Sequence, residues 1–409
     1  MVQLSLNEVL NNYAGTPKIF LSKKTLSADF TPQNIPHREK QIKELALMLA
    51  PVLKGEKPSN VFIYGKTGTG KSLCTRHVAD AITQIAKNNG ANVRILYINC
   101  KMRKTADTEY RLLARLTSFF GEDVPYTGLP TNTLYNKFFG HLEKNGGSVV
   151  IILDEIDALV EKVGDEFLYN LTRISQELKD TSVSIIGISN KVSFVDNLDP
   201  RVRSSLSEEE IIFPPYNANE LRDILEERTK TAFCSGSLDF AVVTKCAALA
   251  AQEHGDARKA LDLLRVAAEL AERGGDMNVT EKHVDTAEEK LDKDRIIEIV
   301  KSQPKHSKLV MTSILSLHMK GSRDMQTGDV FEFYKKLCER YGLKTLTQRR
   351  VSDLVSELDV FGIINASVVS KGRYGRTRTI NIHMPEKIVS SLTRILEKEF
   401  PETFISFQQ

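Results

Sequence analysis

The chain has 409 residues, 41% apolar and 27% charged, with a formal net charge of +3. This is ordinary globular composition, and its length exceeds what one hydrophobic core organises, so two or three domains are expected. No window approaches the ~18 uncharged apolar residues of a membrane span, and Met1 to Asn12 lacks a secretion signal's basic start and apolar middle, so no membrane association and a cytoplasmic, nucleoid-associated protein are expected.

Residues 1–30 show little periodicity and read as an arm. Residues 30–42 lead into a helix with apolar positions Ile42, Leu45, Ala46 and Leu49, and Pro36 suits its start. The apolar run Val61-Phe62-Ile63-Tyr64 reads as a strand. Directly after it, Gly65-Lys66-Thr67-Gly68-Thr69-Gly70-Lys71-Ser72 matches G-x-x-x-x-G-K-[ST] at every fixed position. Glycines there let successive N–H groups turn toward phosphate oxygens, Lys71 reaches the terminal phosphates, and the Ser72 hydroxyl suits Mg²⁺. A helix over residues 71–87 would add its positive N-terminal end.

Residues 92–100 and 148–154 read as buried strands. Two helical patterns lie between them, 108–120 and 131–144, the second opening on a Thr-Asn cap signal. One crossover helix would suffice, so the second is surplus. The later strand ends in Leu153-Asp154-Glu155, and in a parallel sheet ligands sit beyond the strands' carboxyl ends. Asp154 suits an Mg²⁺ role through water, and Glu155 suits a general base. A helix over 167–177 precedes the strand 182–188, which ends in Ser189-Asn190 and places an amide toward the terminal phosphate or the attacking water. Asn190-Lys191-Val192-Ser193 begins like the guanine-reading N-K-x-D, but Ser193 replaces the Asp and guanine is unsupported. Arg201 and Arg203 stand before a last strand, 210–213, as candidate charge clamps. The five cysteines are scattered with no C-x-x-C pair, which argues for reduced structural thiols and against zinc.

Four helical patterns follow, over 217–231, 238–253, 256–273 and 280–301. Arg258 lies in the first turn of the third, where a cation opposes the helix dipole. A phosphate ligand or a surface pair with Asp262 would account for it. The charged stretch 290–304 looks like a connection. Helices over 306–318, 328–341 and 347–361 and strands over 362–369 and 377–382 describe a winged helix. Residues 301–409 hold 18 Lys+Arg against 11 Asp+Glu, a net of +7, leaving 38 against 42 before them. Such asymmetry points to a polyanion, most simply nucleic acid. Thr347, Gln348, Arg349 and Arg350 open the third helix, where a helix-turn-helix reader contacts bases and phosphates. Lys371, Arg373, Tyr374, Arg376 and Arg378 would set the wing on the DNA backbone or minor groove.

The phosphate loop, Asp154-Glu155, Asn190, the arginines before the last strand and Arg258 together resemble a AAA+ ATPase. Pro36-His37-Arg38-Glu39, Leu198-Asp199-Pro200-Arg201-Val202-Arg203-Ser204-Ser205-Leu206, Phe213-Pro214-Pro215-Tyr216, Gly255-Asp256-Ala257-Arg258-Lys259-Ala260-Leu261 and the terminal winged helix narrow the likeness. The chain, over essentially its whole length, resembles the archaeal replication initiators related to origin-recognition complex subunit one and cell-division-cycle protein six. The resemblance implies an α/β AAA+ fold, a parallel sheet flanked by helices over 31–216. It adds a small all-α lid over 217–295 and a winged-helix domain over 300–409. It implies that ATP or ADP with Mg²⁺ is bound by Gly65 to Leu73, with Pro36, His37, Arg38 and Tyr216 beside the base. Lys71, Asp154, Glu155, Asn190, Arg201 and Arg258 are the implied catalytic set, with Ser72 and Asp154 holding the metal. The surplus helix is similar to the initiator-specific insertion. The implied partners are double-stranded origin DNA, the MCM replicative helicase and a second initiator molecule on DNA. An ATP-controlled transcription or stress regulator shares every one of these motifs. Where eukaryotic relatives place an arginine finger in a Ser-Arg pair, this chain has Ser204-Ser205, so slow turnover with ADP retention is expected.

Overall fold

The computed structural model describes residues 18–27, 30–102, 106–125, 127–178, 180–206, 208–370, 376–401 and 403. The chain divides into two compact units, Met1–Asp285 and Thr286–Gln409.

In the first unit, β1 (Asn60–Gly65), β2 (Val93–Asn99), β3 (Gly147–Asp154), β4 (Thr181–Ser189) and β5 (Glu208–Phe213) form a parallel sheet ordered β2-β3-β4-β1-β5. Strands β1, β3 and β4 are buried almost throughout, because helices cover both faces and leave no side for polar alternation. Along β3, Val149, Ile151 and Leu153 enter one core while Val150 and Ile152 enter the other. The second of these cores is completed by α1 (Glu39–Leu49) and α2 (Lys71–Asn89), through Leu45, Leu49, Val78 and Ile82. The first is completed by α3 (Glu109–Ser118), α4 (Thr131–Asn145), α5 (Ile156–Val163), α6 (Glu166–Glu177) and α7 (Pro200–Leu206). The surplus helix α4 buries Leu134, Phe138 and Leu142, one stripe at helical spacing.

Some expectations are corrected. Thr131 is not the cap of α4; Pro130 holds that place and no side chain caps the helix. Helices α5 and α7 were not anticipated, because eight and seven residues give too few turns for a period to stand out. Residues 18–27 are not a loose arm. Ile19 and Leu26 are fully buried, Phe20 stacks on Phe233 at 5.1 Å, and the backbone pairs Leu21 with Ala232 and Cys234 with Ile19. Single anchoring residues do this work, so no period betrays it. The rest of the arm, residues 1–17, 28 and 29, lies outside the described residues.

The helical lid comprises α8 (Ala218–Ala232), α9 (Phe240–Gln252), α10 (Ala257–Gly274) and the start of α11 (Glu281–Ser302). A reciprocal capping box between Asn217 and Glu220 fixes where α8 begins. Residues 290–302 continue α11 without a break, as the helical pattern over 280–301 predicts, and the charged stretch also read as a connection is therefore helical up to Ser302.

The second unit contains α12 (Lys305–Met319), α13 (Thr327–Arg340) and α14 (Gln348–Val360) around a sheet of β6 (Met325–Gln326), β7 (Asn365–Ser370) and β8 (Arg376–Asn381), ordered β6-β8-β7. Leu309, Tyr334, Leu337, Val351, Leu358 and Ile380 share its core. The two-residue β6 was invisible in sequence. The closing helix α15 (Glu386–Glu399), outside the expected elements, buries Ile388, Leu392 and Leu396 at i, i+4 spacing. Strand β7 starts three residues later than expected because Gly362, at φ +71, ends the preceding turn.

All five cysteines are free, and burial pushes the Cys74 and Cys100 thiols up to about 12, as inert packing groups require. Among the described residues, no helix is long and apolar enough to cross a membrane.

Candidate functional site

The carboxyl ends of β1, β3 and β4 open into a cavity of about 320 Å³ in the first unit. Its lining divides into a polar set, Thr67 to Ser72 with Asp154, Glu155, Asn190 and Arg258, and an apolar set that includes Phe30, Ile35, Pro36, Leu73, Ile224 and Leu261. Polar and apolar residues lining one cavity suit a polyanion that also carries a flat ring system.

The loop after β1 is shaped for close approach. Gly68 (φ +73) and Gly70 (φ +91) are left-handed, and a Cβ on Gly68 would lie 1.7 Å from the Asp256 carboxylate while one on Gly70 would lie 2.9 Å from the Tyr216 hydroxyl. Thr69 closes the turn by donating to the Lys66 carbonyl at 2.9 Å. Helix α2 begins at Lys71 with Gly70 as its cap and no side-chain acceptor, so its first amides remain available to an anion. The buried Lys71 ammonium donates to the carbonyls of Gly65 and Lys66, both at 2.7 Å, and to Asn190 Oδ1 at 2.9 Å. Burial lowers its pKa to about 8, and the Arg258 charge pushes the same way while Asp154 opposes.

Asp154 is 5% exposed and accepts a hydrogen bond from the Tyr97 hydroxyl. Burial first, and the Asp154 charge second, raise the Tyr97 pKa, so the phenol stays a donor. Arg76 lies over the Tyr97 ring at 4.3 Å. Glu155 caps α5 with φ +58, an unusual backbone state for a non-glycine residue. Its Oε2 is buried without a hydrogen bond, and Lys101 Nζ stands 3.7 Å away.

Arg258 opens α10, where Asp256 caps the helix by accepting from the amides of Arg258 and Lys259. The suggested pair with Asp262 does not form; Asp262 holds Arg265 at 2.9 Å. Pro36 and Tyr216 line the cavity, whereas His37 and Arg38 do not. His37 hydrogen-bonds Asp223 at 3.0 Å, and Arg38 lies behind Tyr216 with its guanidinium 3.8 Å from the ring centroid. Gly65 and Lys66 likewise serve the loop through their carbonyls and stay out of the lining. Arg201 is turned onto Asp199 at 3.2 Å and is 83% exposed, and Arg203 is paired with Asp196; neither lines the cavity.

Sequence reasoning missed Arg76 and Tyr97, Asn99 at the end of β2, and Arg228, a buried lid arginine that donates to the carbonyls of Thr25 and Phe30. Strand-end position was a usable signal for Tyr97 and Asn99. Nothing in sequence marked Arg228.

In the second unit, Thr347 caps α14 by accepting from the Arg350 amide. Gln348, Arg349 and Arg350 are exposed on its first turn. Arg350 lies 3.9 Å from Asp353 and 3.7 Å from Glu357. Arg378 departs from the expected wing role, since it donates inward to Ser352 O and Ser356 Oγ and ties β8 to α14. Lys371, Arg373 and Tyr374 lie outside the described residues, as does the side chain of Arg376, the first residue of β8.

The family description "CDC6, C terminal winged helix domain" matches residues 298–391, "Cdc6 AAA+ ATPase-type lid domain" matches 222–289, and "AAA domain" matches 54–192. The chain is 51% identical over 393 residues to an ORC1-type DNA replication protein of Thermococcus onnurineus, covering 95% of this chain and 94% of that one. It is 50% identical over 408 residues to the ORC1-type DNA replication protein of Thermococcus kodakarensis, covering 99% and 98%. The solved structure of the Aeropyrum pernix ORC1 protein in complex with DNA superposes with a TM-score of 0.82 at 44% identity, covering 96% of this chain and 99% of that chain.

Proposed function

Because the chain belongs to the ORC1-type family of DNA replication proteins, with its AAA domain, Cdc6-type lid and winged helix, we propose that it is an ATP-dependent replication initiator. In this reading residues 31–216 form the nucleotide-binding core, 217–295 the lid and 300–409 the DNA-binding domain. The winged helix and the α4 insertion bind duplex origin DNA, and the complex helps recruit the MCM helicase, alone or with a second initiator molecule. ATP binding and slow hydrolysis to ADP set the switch. One observation carries the reading: Lys71, Asp154, Glu155, Asn190 and Arg258 converge on one cavity in a chain that also carries a winged helix with an exposed Gln-Arg-Arg turn.

The amides that open α2 hold the phosphates, Lys71 and Arg258 balance their charge, and Phe30, Ile35, Pro36 and Leu261 take the base. Glu155 accepts a proton from the attacking water as the γ-phosphoryl group leaves ADP, and Asn190 orients that water. One hydroxyl and one carboxylate, Ser72 and Asp154, fit Mg²⁺, a cation that keeps several waters, and the ion would offset phosphate charge there. Tyr97 keeps Asp154 oriented for that role.

Two tests follow. Footprinting should show selective protection of a few duplex repeats at replication-start regions, with affinity falling steeply in salt; equal binding to random duplex would refute the reading. The second concerns Lys71, whose free-state pKa is near 8. Phosphate charge must raise it, so binding above pH 8 takes up a proton and affinity falls by up to about tenfold per pH unit. Calorimetry at pH 8.5 in buffers of different ionisation enthalpy should detect that proton, and buffer-independent heats would exclude it.

A further inference from the structure

Arg38 is 2% exposed, and among the described residues its guanidinium makes no ion pair. A charge so buried is costly unless it is hydrogen-bonded, and each of its three nitrogens has an acceptor. Nε donates to Thr69 O at 2.9 Å in the phosphate loop, Nη2 to Pro214 O at 2.6 Å in the link between core and lid, and Nη1 to His37 O at 3.1 Å. The flat face of the group stacks on Tyr216, whose hydroxyl sits against Gly70.

The lid meets the loop at the same place. Ala257 N, at the start of α10, donates to Gly68 O at 3.2 Å, and Tyr216 N donates to Gly255 O at 3.3 Å. A Cβ on Gly255 would come within 2.3 Å of Tyr216 O, so these segments are packed at backbone distance. Next to Arg38, His37 holds φ +63 and hydrogen-bonds Asp223 of α8. Such a backbone state persists where surrounding contacts over-determine it, and here His37 is held by Asp223 of the lid, by Glu39 Oε1 on its amide and by Arg38 on its carbonyl.

We propose that Arg38 is a positioning residue that registers the lid, and with it Arg258, on the phosphate loop, so that loop occupancy and lid placement are one event. The inference rests on the cavity being an ATP site. Phosphate that draws on the loop amides also moves the Thr69 carbonyl, and the rigid guanidinium carries that movement to Pro214 and Tyr216. Arg258 lies one residue beyond Ala257, so a lid that slips from the loop withdraws Arg258 from the cavity. A lysine in place of Arg38 keeps the charge and loses the planar fork that spans loop and link.

The test is a double-mutant cycle on the full chain, with ADP affinity measured by calorimetry. Arg258→Ala should weaken binding about tenfold in the parent protein and less than about twofold in the Arg38→Met background, the non-additivity expected of coupled residues. A role in stability alone would leave the Arg258 factor equal in both backgrounds, and that result overturns the proposal. Arg38→Lys, closer in size and charge, is the second background and should show the same collapse; full additivity there overturns it equally. Lys71→Ala separates the premises. Loss of ADP binding in that variant with additive cycles removes the Arg38 role alone. Unchanged binding in Lys71→Ala removes the ATP reading and this inference with it.

Discussion

Glu155→Gln is expected to bind ATP within about threefold of the parent affinity and to hydrolyse it at least ~100-fold more slowly, the usual scale for losing a positioned general base. The substitution preserves size and removes only the capacity to take a proton. Glu155 is a suitable place for that role because its carboxylate is otherwise hard to explain. Oε2 is buried and accepts no hydrogen bond, a costly arrangement for an ionised oxygen, and the backbone beneath it holds φ +58. Lys101, at 3.7 Å, balances its charge without spending a lone pair. Single-turnover kinetics with radiolabelled ATP would measure the chemical step, and filter binding the affinity. Turnover within threefold of the parent would remove Glu155 as the base, and a parallel loss of affinity would instead mark a structural role. Arg201→Ala is the informative contrast. With its guanidinium on Asp199 and outside the cavity, it should leave the turnover of isolated chains unchanged, and any effect should grow with protein concentration.

What could be read in advance divides along physical lines. The parallel sheet was legible because β1 and β3, covered on both faces, carry the unbroken apolar runs Val61 to Tyr64 and Val149 to Leu153 and end in loops with a known chemical purpose, while β4 is as deeply buried but interrupted by Ser182 and Ser184. The phosphate loop was legible because its backbone needs glycine: Gly68 and Gly70 stand where a Cβ would strike Asp256 or Tyr216. Hidden from sequence was everything set by residues far apart in the chain. Arg38 adjoins the cavity in sequence yet faces away from it, held by Thr69 and Pro214. Arg378 is one more basic residue of a basic wing until Ser352 and Ser356 are seen to hold it. In each case charge and position were visible, and direction was not.

That difference in direction divides the basic residues of the winged helix into separable classes, and Arg349→Ala is expected to show the largest effect on DNA selectivity. Arg349 is exposed on the first turn of α14 and has no ion-pair partner among the described residues, so its fork is free for a base edge. Its loss should cost about 1–3 kcal/mol of discrimination between the origin repeat and random duplex, roughly 5- to 150-fold, with little change in the salt slope. Arg350 is already engaged with Asp353 and Glu357 and should matter less. Arg378→Ala should behave differently again. Removing its bonds to Ser352 and Ser356 frees β8 from α14, so the melting temperature should fall while the salt slope stays put, because that guanidinium is held against α14. Titrations at three salt concentrations on specific and random duplex, beside thermal melts, separate the three. A lower salt slope for Arg349→Ala, by about one, would make Arg349 a phosphate contact. Loss of selectivity in Arg378→Ala at an unchanged melting temperature would return Arg378 to the wing's DNA face.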